Sequence, residues 1–180
     1  MIRRLAIAAL ALAAVALAAP ASAQDLTIKP FFGSFAGSGV AKSEDSLYFG
    51  VSVRDVDVEI RPTADGFRIA WTTVLRQGGD PNKPNVKKNA SAAEFVATAK
   101  ANFFAGKANG DPLQGKSVAW ATIKRNTLTA HFVSVDEDGR PEVQSYARTL
   151  TGEGMDLVYS RVVGDEKTRT VKAKLTRQSN

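Results

Sequence analysis

The sequence predicts an all-β fold: an antiparallel up-and-down barrel of about eight strands with one inserted α-helix. Three observations carry this. Short segments alternate apolar and polar residues with period two, tight-turn signals separate most of them, and one stretch near residue 95 changes to helical spacing. A meander of about eight short strands is the pattern of an up-and-down barrel or a sandwich.

The first residues read as a targeting segment. Arg3 and Arg4 precede an apolar run over residues 5–19, and Ala21-Ser22-Ala23 supplies the small-x-small pattern of a cleavage site. The run is about 15 residues, short of the roughly 20 that span a bilayer. Residues 1–23 are therefore expected to be a signal peptide cleaved after Ala23. That makes the protein periplasmic or secreted, with residues 24–180 forming a single domain. Loss of Arg3 and Arg4 lowers the formal net charge of +6 by two, a mildly basic balance that does not imply nucleic acid. With no cysteine in the chain, packing must stabilise the fold without disulfides.

The strands follow in order. Residues 31–41 alternate phenylalanine with small residues, and their glycines mark bending or close backbone approach. Residues 48–61 are long for one strand, and the apolar phase changes from Val51 and Val53 to Val56, Val58 and Ile60. A bulge near Arg54-Asp55 would restore a single apolar face. Asp65-Gly66 reads as a type I′ turn, which would set Ile60 opposite Trp71, Val56 opposite Leu75 and Asp55 opposite Arg76. Asp55, Asp57 and Glu59 then fall on the face opposite the apolar one, a solvated strand rather than a catalytic carboxylate pair.

Residues 77–90 read as a loop from their glycines, prolines and Lys83, Lys87 and Lys88. Ser91 and Glu94 then form a capping box. Phe95, Val96, Ala99 and Phe103 recur at helical spacing until Gly106, giving the helix insertion at about 91–105. Such a helix is either packed on the barrel or a lid over a cavity. After the 106–116 loop, residues 117–123 turn at Arg125-Asn126 into 128–135. Asp138-Gly139 then turns the chain into the segment that begins near Pro141.

That segment, 141–163, organises the rest. Gly152-Glu153 reads as a type II′ turn. The resulting register sets Leu150 opposite Met155, Arg148 opposite Leu157, Tyr146 opposite Tyr159 and Gln144 opposite Arg161. The Tyr/Arg face outweighs the small residues on the other side and is expected to point inward. Residues 168–176 close the chain, alternating Val171, Ala173 and Leu175 against Lys172, Lys174 and Thr176.

The run Phe31-Phe32-Gly33-Ser34-Phe35 resembles the F-x-G-x-W opening of fatty-acid-binding proteins and the G-x-W of lipocalins, together the calycins. Phe35 stands where those families have tryptophan, and a helix after the third strand departs from both. The resemblance implies a calycin-like barrel with an interior cavity for a small, largely apolar ligand. Fatty-acid-binding proteins hold a ligand carboxylate with an arginine and a tyrosine. Tyr146-x-Arg148 and Tyr159-x-Arg161 are similar in chemistry.

The candidate ligand-binding residues are Phe35, Trp71, Trp120, Phe132, Tyr146, Arg148, Tyr159 and Arg161. Their aromatic rings either line a cavity or fill a solid core, since small barrels do both. His131, the single histidine, is expected opposite Trp120 as a packed or surface residue. No catalytic residue, metal site or cofactor is predicted, because no nucleophile elbow, phosphate loop or dinucleotide fingerprint occurs. Two functions follow. One is an exported carrier or sensor of an apolar or amphiphilic molecule, acidic ligands included. The other is an envelope interaction module that meets anionic lipid headgroups or a protein through Lys167, Arg169, Lys172, Lys174, Arg177 and the lysines of the 77–90 loop.

Overall fold

The computed structural model describes residues 24–43, 50–76 and 86–179. The predicted signal peptide, the tip of the first hairpin and most of the Lys83 loop lie outside these residues. Ten strands form one closed antiparallel barrel: β1 (Gly33–Ser43), β2 (Gly50–Pro62), β3 (Gly66–Arg76), β4 (Val86–Ala97), β5 (Phe103–Gly106), β6 (Val118–Lys124), β7 (Thr127–Val135), β8 (Pro141–Leu150), β9 (Gly154–Val163) and β10 (Glu166–Arg177). Each strand pairs with its neighbours in sequence, and β1 closes the ring on β10. The up-and-down order is as expected, but there are ten strands and, among the described residues, no α-helix.

Both added strands come from the segment expected to be helical. The capping-box pattern and alanine-rich composition of residues 91–105 favour a helix locally, yet β3 would then present an unpaired row of backbone N–H and C=O groups. Instead β4 pairs with β3 along its whole length, from Gly66–Val96 to Arg76–Val86. Phe95 turns inward and stacks on Phe67 with ring centroids 5.3 Å apart. Glu94 turns outward and pairs with Lys107 at 3.0 Å. Tertiary pairing overrides local propensity here. Lys87 and Lys88, read as loop residues, belong to β4.

Two further readings are corrected. The β1–β2 register runs unbroken from Gly33–Ile60 to Ser43–Gly50, and β2–β3 is continuous as well, so β2 carries no bulge. Its phase never changes: Arg54 continues the inward row of Val56, Val58 and Ile60, while Val53 lies outside at 62 % exposure. The β2–β3 turn also sits closer to β2, with Thr63 N–H donating to the Gly66 carbonyl at 3.0 Å. Ile60 therefore faces Ile69, Val58 faces Trp71, Val56 faces Thr73 and Asp55 faces Val74. Gly66 serves the strand rather than the turn, since a Cβ there would overlap the Phe95 carbonyl oxygen of β4.

The β8–β9 register matches the expected one at all four pairs. Its turn is not type II′, since Gly152 lacks the positive φ that type requires. The lower end of the barrel is solid. Phe35, Ile60, Phe67, Ile69, Phe95, Leu128, Met155 and Leu175 fill it, and Phe31, on the 3-10 turn Lys29–Phe31, closes the base. Arg177 secures that closure. Its guanidinium lies 4.5 Å over the Phe35 ring and donates to the carbonyls of Phe32 at 2.6 Å and Pro30 at 2.8 Å.

Candidate functional site

Strand alternation delivers a different set of side chains to the upper interior. Above Ile60, β2 presents Val56 and Arg54. Above Ile69, β3 presents Trp71 and Thr73, while β4 presents Ser91 and Asn89. Above Leu150, β8 presents Arg148 and Tyr146; above Met155, β9 presents Leu157 and Tyr159; above Leu175, β10 presents Val171 and Arg169. These residues surround one cavity of about 160 Å³, below the roughly 300 Å³ of pockets that hold drug-sized ligands. On β1, Gly39 pairs with Arg54, and a Cβ there would overlap the Lys172 carbonyl oxygen and Ala173 of β10.

The cavity reaches the surface beside β4. Because β5 pairs with β4 only from Phe95 to Ala97, the upper part of β4 has no partner on that side among the described residues. Asn89 and Ser91, both on this edge, are exposed and line the cavity.

Its electrostatics are one-sided. Arg148 is 1 % exposed, and burial pulls its pKa down to about 10, which still leaves it charged at neutral pH. Its guanidinium lies 5.7 Å from the Trp71 ring and 5.3 Å from that of Tyr146, and donates weakly to the Tyr146 carbonyl at 3.4 Å. Arg54 and Arg169 line the cavity from the strands on either side of β1, and burial, followed by repulsion from Arg169, lowers the Arg54 pKa. In all three arginines the Nε is buried and has no hydrogen-bond partner. Among the described residues, no carboxylate lines the cavity. Both tyrosines are held neutral, because burial pushes Tyr146 and Tyr159 up.

The acid on the inner face of β8 is already engaged. Glu142 accepts from Arg161 at 2.6 Å and from Gln144, which in turn accepts from the Tyr146 hydroxyl at 3.1 Å. The Arg161 hydrogen bond holds the Glu142 carboxyl below its ordinary value against the opposing effect of burial. This ladder runs up the inner face of β8 from the cavity to the rim.

Of the predicted site residues, Trp71, Tyr146, Arg148 and Tyr159 line the cavity. Phe132 packs beside it, 6.1 Å from Trp71 and 5.7 Å from Tyr146 between ring centroids. Arg161 sits at the rim on Glu142, and Phe35 belongs to the solid lower half. Trp120 lies on the outer face, stacked on His131 at 4.9 Å, because Ala119, Ala121 and Ile123 take the inward positions of β6. Burial lowers the His131 pKa. Sequence reasoning missed Arg54, Arg169, Thr73, Asn89 and Ser91. Extending the even phase of Val56, Val58 and Ile60 by one step finds Arg54; extending the odd phase of Val171, Ala173 and Leu175 finds Arg169. The proposed basic surface loses Arg169 to the cavity and Arg177 to the base, and keeps Lys172 and Lys174 outside; the Lys167 side chain is not among those described.

Fold and site together define a small closed antiparallel barrel with a cationic internal cavity. The chain resembles the crystal structure of a protein of unknown function from the DUF3598 family of Nostoc punctiforme, with a TM-score of 0.55 and 14 % sequence identity. The match covers 90 % of this chain and 53 % of that one, so this chain spans about half of that protein's length. An S-type phycobiliprotein lyase from Guillardia theta aligns over 86 % of this chain and 94 % of its own, with a TM-score of 0.39 and 10 % identity. No family model and no curated protein matches.

Proposed function

We propose that this protein is an exported binding barrel, a carrier or sensor of a small acidic molecule that carries an apolar part. The observation that carries the reading is the set of three buried, unpartnered Nε groups on Arg54, Arg148 and Arg169 around a cavity that no carboxylate among the described residues lines. An unpaired buried charge costs several kcal/mol, and an anionic ligand is the natural compensation. Trp71, Val56, Leu157 and Val171 supply the apolar wall. The small volume and solid floor limit the enclosed part to a head group and a few carbons. The remainder would leave beside Asn89 and Ser91.

Export rests on the leader sequence and is tested by the intact mass of the secreted form, which should begin at Gln24. Native mass spectrometry of that form, purified without detergent, tests the binding. The expected result is a retained acidic small molecule or uptake of an added one. A protein that takes up neutral amphiphiles and acids alike would refute an acid-binding cavity.

A further inference from the structure

The cavity holds more positive charge than a single carboxylate balances. Arg54, Arg148 and Arg169 line it from β2, β8 and β10, alternate strands of one half of the ring, so three guanidiniums from three separate strands can serve one bound group. Glu142, the acid on the inner face of β8, is committed to Arg161 and Gln144. A planar carboxylate presents two oxygens and one charge, and a single guanidinium can satisfy it by a bidentate pair. A tetrahedral oxyanion presents three oxygens at wide angles and up to two charges, which suits donors arriving from three strands.

We infer that the head group bound here is a dianionic tetrahedral oxyanion, of the phosphate-monoester class, held between Arg54, Arg148 and Arg169 with its organic part against Trp71. This rests on the acid-binding reading above and names the class of acid. Arg148 forms the floor, packed against Trp71 and Tyr146, and Arg54 and Arg169 form the two walls beside β1.

Titration calorimetry on the mature chain tests it with four probes at pH 7.5: phenyl phosphate, inorganic phosphate, benzoate and benzyl alcohol. Phenyl phosphate should bind at least about ten-fold more tightly than benzoate, one charge-assisted contact or more, and benzyl alcohol most weakly. Inorganic phosphate matching phenyl phosphate would identify the free ion as the source of the oxyanion; weaker binding by about ten-fold would identify an organic monoester.

Affinity for phenyl phosphate should also rise between pH 5 and 7.5, as its second proton leaves near about pH 6, while benzoate stays level. The protein groups facing the site do not titrate there. Arg148 keeps its charge, Tyr146 and Tyr159 are pushed up, and Glu142 is held down. Arg54→Gln and Arg169→Gln should each weaken phenyl phosphate about ten-fold and benzoate less than about three-fold. The wild-type series decides the matter even where a variant fails to fold.

Benzoate binding as tightly as phenyl phosphate, with no pH dependence for either, would overturn the dianion while leaving the acid-binding cavity in place. Failure of both acids beside measurable binding of benzyl alcohol would remove the acid-binding reading itself.

Discussion

The two halves of the barrel interior use the same ten strands and the same alternation for opposite purposes. Below Trp71 the core side chains of the described residues are apolar and closely packed, with Phe67 stacked on Phe95 and edge-on to Phe104 at 4.9 Å, and Arg177 closes the base. Above it the inward positions carry arginine, tyrosine, threonine, asparagine and serine beside Val56, Leu157 and Val171 around a void. The lower half contributes burial of large hydrophobes, the dominant favourable term in folding. The upper half works against stability by burying Arg148 without an acid. The contrast shows a division of labour along each strand rather than between domains: binding chemistry sits on a scaffold that the opposite end holds together.

The division is tested first by truncating the lower half. Phe67→Ala should cost about 3–5 kcal/mol, the range for a fully buried aromatic, as read from the urea midpoint, and a loss under about 1 kcal/mol would mean that the floor is loosely packed. Gly66→Ala should be the next largest effect, a loss of about 1–3 kcal/mol from overpacking, since the added methyl meets the β4 backbone. A neutral result there would argue against the close β3–β4 pairing that replaces the expected helix.

Arg148→Met probes the upper half, and its sign should be opposite. The ligand-free protein should be unchanged or more stable, by up to about 1–3 kcal/mol, because an unpaired buried charge is replaced by an apolar side chain of similar length. The same variant should bind an acidic ligand less tightly by about 1.5–3 kcal/mol and a neutral analogue almost equally. Clear destabilisation of the free protein would show that Arg148 supports the fold and would erase the distinction between the halves.

The smallest effect is expected at the rim. Glu142 has a folded pKa below its unfolded value of about 4.3, mainly through Arg161. Its contribution is therefore present above that value and lost as pH falls through the lower, folded one. Glu142→Gln should cost about 0.5–1 kcal/mol at pH 7, the scale of a partly exposed pair. The difference from wild type should vanish toward pH 3 in urea unfolding; a difference that persists there would mean that the Arg161 pair is not its source.

The sequence by itself determined the all-β antiparallel barrel, the β8–β9 register with Tyr146 beside Tyr159, and the alternation of β10. In these segments period-two patterning and local turns act together, and both are written in neighbouring residues. The inward direction of the Tyr/Arg face also followed, because Leu150, Met155 and Leu157 outweigh the small residues behind them.

What only the tertiary structure decided lies at the upper cavity. Residues 86–97 gave no strand signal because the inward positions Asn89 and Ser91 face a polar void, which removes the apolar alternation by which strands are recognised. Arg54 imitated a change of phase in β2 for the same reason. The ten-strand count follows from ring closure, since the edge of β3 needs a partner whatever the local propensity of residues 91–105. Convergence of Arg54, Arg148 and Arg169 depends on β1 closing against β10. That pairing joins the two ends of the chain, and no local pattern records it.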